Sequence, residues 1–150
     1  VASRGAAIGA SPDDAPRTTP ARRRLASLLD DGDDPDLLLA EGTARRYRHA
    51  VDVVERGDPG AVSGCFTSAY GRSPVRSGSY LATSSGPRFF APHEVLRLLG
   101  FPADYRLPAW ASTSPKGRKK AWRLAGNSLS LPAVRHALRG VPELGSGFSG

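Results

Sequence analysis

The chain has 150 residues, room for at most one ordinary domain, and carries a net charge of +7 with a sequence pI near 10.3. That balance favours a polyanionic partner over a membrane, because no apolar run approaches the ~20 residues that a spanning helix needs. One cysteine excludes an internal disulfide framework, and the three histidines (His49, His93, His136) lie too far apart for a local ligand motif, so no metal site is expected.

Glycine and proline together make up a fifth of the chain, against ~12% in average usage, so loops and tails should be prominent. The sequence contains no methionine, starts at Val1 and shows no secretory character there; it reads as the C-terminal piece of a longer polypeptide. Val1 to Pro20 has hardly an apolar anchor and is expected to be linker or disordered. After Arg22-Arg23-Arg24, the spacing of Leu25, Leu28 and Leu29 predicts a short helix, broken by Asp30-Asp31-Gly32-Asp33-Asp34. Those aspartates lack the spacing of a calcium loop and read as a solvated acidic turn. Leu37-Leu38-Leu39 is a brief apolar contact. Thr43 should then cap a helix whose apolar positions are Ala44, Tyr47, Val51 and Val54, closed by Gly57 and Pro59. Its other face carries Arg45, Arg46 and Arg48, open to two readings, a solvated face or an RNA-phosphate contact.

Val62 to Thr67 and Ser79 to Thr83 read as two short strands around a Gly/Ser/Pro loop carrying Arg72 and Arg76. The loop is a candidate recognition element: Phe66 and Tyr70 either stack on splayed bases or fill the core, with the core favoured for Phe66. Cys65 has neither a base nor an electropositive helix end beside it in the local sequence, so it is not read as a nucleophile. Further on, Pro92 suits the first position of a helix, Glu94 its first turn, and Val95, Leu98 and Leu99 a buried stripe; Gly100 ends it before Phe101-Pro102. The densest basic cluster, Pro115 to Lys120, is read as a loop flanked by Trp110 and Trp122. Gly126-Asn127-Ser128 is read as a loop opening a helix that carries Leu131, Val134, Ala137 and Leu138, with free N–H groups able to seat a carboxylate or phosphate. The last ten residues, with Gly140 and Pro142, should be a frayed tail.

Two blocks about twenty residues apart carry a resemblance. Arg88, Glu94, Arg97-Leu98 and Gly100-Phe101-Pro102, followed by Trp122-Arg123-Leu124-Ala125-Gly126-Asn127-Ser128-Leu129, resemble the last two conserved blocks of the cytosine-5 methyltransferases. The chain departs from that pattern at Ala91, where a capping Thr or Ser is usual, and at Lys120, where a Gln is expected. A third block, Cys65-Phe66-Thr67 with Tyr70-Gly71 and Ser77-Gly78-Ser79, resembles the signature of the tRNA-modifying branch, the one acting on the anticodon loop of tRNA-aspartate.

The resemblance implies a target-recognition region plus the C-terminal elements of an S-adenosylmethionine-dependent α/β, Rossmann-like enzyme, with this chain α+β on its own. It divides the sequence into a linker (1–21), the target-recognition region (22–87), elements returning to the catalytic core (88–141) and a tail (142–150). Asn127, Ser128 and Leu129 are then expected at the amino-acid end of the cofactor. Cys65, Phe66, Thr67, Tyr70, Gly71, Gly78 and Ser79 are expected at the target, and Arg88, Lys116, Arg118, Lys119 and Lys120 on the RNA backbone. The family's nucleophile, a cysteine after a proline, has no counterpart in this sequence, and neither does its glycine-rich cofactor loop. No catalytic residue is therefore assigned here; methyl transfer needs an N-terminal half of the same polypeptide, and tRNA in an intracellular compartment, cytoplasmic or nuclear, is the implied partner. A DNA cytosine-5 methyltransferase fragment and a non-catalytic RNA-binding derivative are the alternatives.

Overall fold

A computed structural model describes residues 24–139 and 141; the linker and tail expected at 1–21 and 142–150 lie outside the described residues. The chain is α+β, with a small three-stranded mixed sheet and helices. Strand β1 (Asp52–Val54) runs parallel to β2 (Ser79–Leu81), which pairs antiparallel with β3 (Arg88–Phe89). The helices are α1 (Glu41–Arg46), α2 (Pro92–Leu98), α3 (Trp110–Thr113), α4 (Pro115–Gly126) and α5 (Leu131–Arg139). None is long and apolar enough to cross a membrane.

The helix expected from Thr43 onward ends at Arg46, and Val54 instead belongs to β1. Ala44, Tyr47, Val51 and Val54 mimic a helical stripe, but a β-branched run suits a pleated strand, and its pairing with β2 lies beyond any local window. The strand expected at Val62–Thr67 is irregular, tied at its end by Thr67 N–H to the Ser77 carbonyl at 2.9 Å. The second expected strand is present as β2, and the short helix at Leu25 is a 3-10 turn (Leu25–Leu28). The expected boundary at 87/88 falls between the paired strands β2 and β3.

The core gathers Leu25, Leu29, Leu37, Phe66, Tyr70, Tyr80, Leu81, Phe90, Val95 and Trp122 around the sheet. Tyr70 lies at its centre. Its hydroxyl donates to the Ser79 carbonyl (2.7 Å) and accepts from Phe90 N–H (2.9 Å), while the Trp122 indole N–H donates to the Phe90 carbonyl (2.8 Å). Burial pushes the Tyr70 hydroxyl pKa well above its ordinary value, so it stays a neutral donor.

Beside the aromatics lies a buried ion pair. Arg88 and Glu94 are 1% and 0% exposed and meet through two hydrogen bonds of 2.9 and 3.0 Å. Burial alone would lower the Arg88 pKa, but the bonds and charge of Glu94, with help from Asp33, leave it raised. Glu94 also accepts Ala91 N–H at 2.7 Å, which fixes the start of α2 even though Ala91 has no capping side chain, and Asp30 N–H at 3.0 Å. In α2 the buried apolar positions are Pro92, Val95 and Leu96, while Leu98 and, just after the helix, Leu99 are only partly covered. Gly100, with φ +86°, terminates it as expected.

The acidic stretch is solvent-exposed from Asp31 to Asp34, as expected, but several of its carboxylates are also paired. Asp30 binds Arg97 at 2.7 Å and pairs with His93, Asp33 reaches Arg88 at 3.3 Å, and Asp36 binds Arg118 at 3.0 Å. Unmatched cations on α2, β3 and α4 draw it onto the fold. Burial raises the Asp30 pKa, but hydrogen bonds and charges from Arg97 and His93 outweigh it and hold the carboxyl below its usual 3.8.

Two outcomes follow from this network. Glu94→Gln should strand Arg88 as an uncompensated buried charge and lower the unfolding free energy by about 3–5 kcal/mol in urea titrations; an unchanged midpoint would remove the pair from its structural role. Because the folded pKa of Asp30 is depressed, its stabilisation is present above pH ~4 and is lost as pH falls through the lower folded value. Asp30→Asn should accordingly flatten the fall of Tm with acidification below pH ~4 relative to the parent chain.

Candidate nucleic-acid interface and the Gly-Asn-Ser corner

Helix α4 organises both surfaces of interest. Ser114 caps it, its hydroxyl accepting Gly117 N–H at 3.0 Å, and Pro115 occupies the first turn. The basic run is therefore helical rather than a loop. Gly117, Arg118, Ala121, Trp122 and Ala125 form the buried stripe, while Lys116, Lys119, Lys120, Arg123 and Leu124 face outward. Two of the cations expected on RNA are removed by this geometry. Arg118 lies on the buried stripe, tied to Asp36 and, at 4.0 Å, to Asp34. Arg88 is enclosed with Glu94. Both serve the fold and cannot reach a phosphate without breaking it.

The outward cations form one patch. A cleft of about 480 Å³ is lined by Arg72, Trp110, Lys116, Lys119, Lys120 and Arg123. Arg72 comes from the loop expected to carry recognition, and Lys120 Nζ stands 4.7 Å from the centroid of the Trp110 ring. Trp110 received no role from the sequence beyond flanking the basic run; its surface position depends on α3, a turn too short for periodicity to predict. Arg45, Arg46 and Arg48 are exposed on α1 and the turn after it, Arg45 paired with Glu41 at 2.9 Å.

The residues expected at the target divide sharply. Cys65 is exposed and Thr67 half-buried, whereas Phe66, Tyr70, Gly78 and Ser79 are buried. Tyr70 stacks edge-on against Phe66, Phe89 and Trp122, so it is a core residue and not a base-stacking one. Gly71 packs under the Trp122 ring and Gly78 under Phe66. The block chiefly shapes the core that holds Cys65 and Thr67 at the surface.

The Gly-Asn-Ser motif closes a helix instead of opening one. Gly126 is the last residue of α4, and Asn127 N–H bonds back to the Arg123 and Leu124 carbonyls, Ser128 N–H to Ala125 and Ser128 Oγ to Leu124. At the start of α5, Leu131 N–H is taken by the Leu99 carbonyl at 2.8 Å, and Pro132 has none. The N–H groups of Asn127 and Ser128 are therefore engaged by the end of α4 and not free to seat an anion. What faces outward is the Asn127 side chain, with no hydrogen-bond partner among the described residues, next to Leu129, which is 71% exposed. An exposed amide has both a donor and an acceptor, so it fits either pole of an amino-acid group such as the one that ends S-adenosylmethionine. Gly126 has its own explanation. A Cβ there would stand 2.2 Å from the Thr67 carbonyl, so only glycine lets α4 close onto the Cys65-Phe66-Thr67 stretch. With Tyr70 and Trp122 both bonded to the Phe90 backbone, the fold thus brings all three motif blocks into contact.

The fold is similar to part of solved methyltransferase structures. It superposes on the S. pombe Dnmt2 methyltransferase with a TM-score of 0.67 at 22% identity, covering 82% of this chain and 42% of that one. The Entamoeba histolytica methyltransferase EhMeth gives 0.65 at 17% (77% and 39% covered), and a Spodoptera frugiperda DNMT2 E260A/E261A/K263A mutant 0.65 at 24% (77% and 41%). No family model matches the chain. In sequence it is similar to the tRNA (cytosine(38)-C(5))-methyltransferase of Rattus norvegicus, 29% identical over 140 residues, and to that of Homo sapiens, 28% over 138. These matches cover 76% and 75% of this chain and 34% of each relative, so the chain spans about a third of their length. The resemblance read from the three motif blocks therefore holds over about three quarters of the chain.

Replacing Lys116, Lys119 and Lys120 together by Gln should reduce the salt dependence of RNA binding by roughly 2 log units of K per log unit of salt, read by fluorescence anisotropy. Arg118→Gln should leave that slope nearly unchanged and lower the melting temperature instead. A slope altered equally by both variants would contradict the division of α4 into binding and structural cations.

Proposed function

We propose that this chain is the target-recognition region and C-terminal elements of a tRNA (cytosine-38, C5) methyltransferase. In this reading it works only when joined to a catalytic half that supplies the nucleophile and the main cofactor loop. The observation that carries the reading is the uncovered apolar corner around the Gly-Asn-Ser motif. Leu124 and Leu129 are 50% and 71% exposed, and α5 buries none of its residues against the rest of the described chain. An amphipathic helix whose apolar residues Leu131, Val134 and Leu138 are only half-covered, and which begins shortly after the exposed Asn127 amide, suits docking onto another part of an enzyme at the edge of a cofactor pocket. The tRNA names of the relatives favour the tRNA branch over the DNA branch.

S-adenosylmethionine would supply the methyl group, and Asn127, with Ser128 and Leu129 beside it, would lie against its amino-acid end. Asn127 contributes the amide; Ser128, turned back onto Leu124, holds the corner's shape; Leu129 closes the apolar edge. Cys65 and Thr67 are the members of the Cys-Phe-Thr block left at the surface for the target.

The test is a chimera joining this chain to the part of the rat relative outside the matched region. It should methylate tRNA, whereas the 150-residue chain alone should not. Within the chimera, Asn127→Ala should weaken cofactor binding by ~1.5–3 kcal/mol in calorimetric titration while tRNA affinity stays constant. Normal cofactor binding by that variant would sink the pocket assignment. Turnover by the isolated chain, abolished by Cys65→Ser, would overturn the whole reading.

A further inference from the structure

Five cations border the cleft between α3 and α4, and none of them has an acidic partner among the described residues. Arg72, Lys116, Lys119, Lys120 and Arg123 form no ion pair there; the Arg72 guanidinium donates only to the Ser68 carbonyl at 3.2 Å. The contrast with Arg88, Arg97 and Arg118 is sharp, since each of those is matched to an aspartate or glutamate. The acids of the fold neutralise the cations that face inward and leave this patch uncompensated, as an anionic ligand requires.

The cleft is not only charged. Trp110 is 38% exposed, and a π face of its ring is turned to the Lys120 ammonium rather than to the core. The chain's other tryptophan, Trp122, is buried and hydrogen-bonded. An aromatic face covered by the Lys120 ammonium and bordered by the other cations, in a space of about 480 Å³, matches a ligand that is phosphate on one side and, on the other, an aromatic ring taking the ammonium's place over the indole. A duplex offers phosphates but keeps its bases stacked inside; a bare phosphate leaves the ring unused.

We propose that this cleft is a seat for one unpaired nucleotide of an RNA strand, its base stacked on Trp110 and its flanking phosphates held by Arg72 and the outward cations of α4. The seat is separate from the Gly-Asn-Ser corner and from Cys65. It rests on reading the cationic face of α4 as an RNA-binding face, and it adds to that face a requirement for a single-stranded or bulged nucleotide.

The experiment uses the 150-residue chain with three probes: an eight-nucleotide oligouridylate, the same length of phosphodiester with abasic sites, and a duplex RNA. Oligouridylate should quench tryptophan fluorescence saturably and bind more tightly than the abasic strand of equal charge. Trp110→Leu should weaken oligouridylate roughly 5- to 150-fold, leaving duplex and abasic affinity unchanged, and Trp110→Phe should retain most of the binding. Unchanged oligouridylate affinity in Trp110→Leu would overturn the seat while leaving the cationic face intact. Equal loss of all three probes in that variant, with a lowered melting temperature or with Trp110→Phe equally defective, would make Trp110 structural and also overturn it. Uridine monophosphate binding as tightly as the oligomer would reassign the cleft to a free nucleotide. Absence of any RNA binding by the parent chain would bring down the cationic face together with the seat, whereas the cofactor and methylation tests on the chimera stand independently of all these results.

Discussion

Everything in this fold passes through the buried Arg88–Glu94 pair. Arg88 is on β3, Glu94 is in the first turn of α2, and between them the chain turns through Phe90, whose backbone is held by Tyr70 and Trp122. Two charges removed from water are tolerated only when their remaining bonding capacity is filled. The Phe89 carbonyl and Asp33 take the other arms of Arg88, and the N–H groups of Ala91 and Asp30 take those of Glu94. The pair therefore fixes three things at once: the edge strand, the entry of α2, and the 25–39 segment, whose own regular structure is two short 3-10 turns at Leu25–Leu28 and Pro35–Leu37. Leu39 N–H to the Pro87 carbonyl, and the isolated bridge between Leu38 and Arg88, complete that attachment.

The same accounting explains why neighbouring charges behave differently. Arg97 and Arg118 project from α2 and α4 toward the segment carrying Asp30, Asp34 and Asp36, and each finds a carboxylate. A helix turns 100° per residue, so one contiguous run, Lys116-Gly117-Arg118-Lys119-Lys120, is dealt to two sides. Gly117 and Arg118 go inward against α3 and the acidic segment; the lysines go out. Charge density along the sequence says that such a run attracts anions, and only the helix phase says which of its members are free to do so.

Legibility in the sequence followed the range of the interactions. The capped start of α2, its termination at Gly100, the strand at Ser79 and the helix from Leu131 each rest on residues a few positions apart and were readable. Strand β1 was not, because Val51 to Val54 fit a helical stripe locally and become a strand only through pairing with β2. The pairing of the acidic segment was not readable because its partners are distant in sequence: Arg88, Arg97 and Arg118 lie more than fifty residues away and Arg56 lies 26 residues from Asp30. Motif resemblance gave the right neighbourhood and the wrong local geometry. It assigned Gly126-Asn127-Ser128 to the cofactor and Cys65-Phe66-Thr67 to the target, and it could not reveal that the two meet, Gly126 being glycine because the backbone at Thr67 and Ser68 passes against it.

That close approach also separates scaffold from surface within the motifs. If α4 must end against Thr67, then Phe66, Tyr70, Gly71 and Trp122 are obliged to be core, and only the residues at the rim of the junction are left to meet anything else: Cys65, Thr67, Asn127 and Leu129. The cationic cleft lies farther back along the same helix, on the turns that carry Lys116, Lys119, Lys120 and Arg123. A single 12-residue helix thus presents a polar-apolar corner at its C-terminus and a positive face along its length from Lys116 to Arg123, both fixed in register by the buried stripe from Gly117 to Ala125. Shifting that stripe by one residue would rotate the lysines and the Asn127 corner together. The rigidity of the core, more than any one surface residue, is what couples the two surfaces.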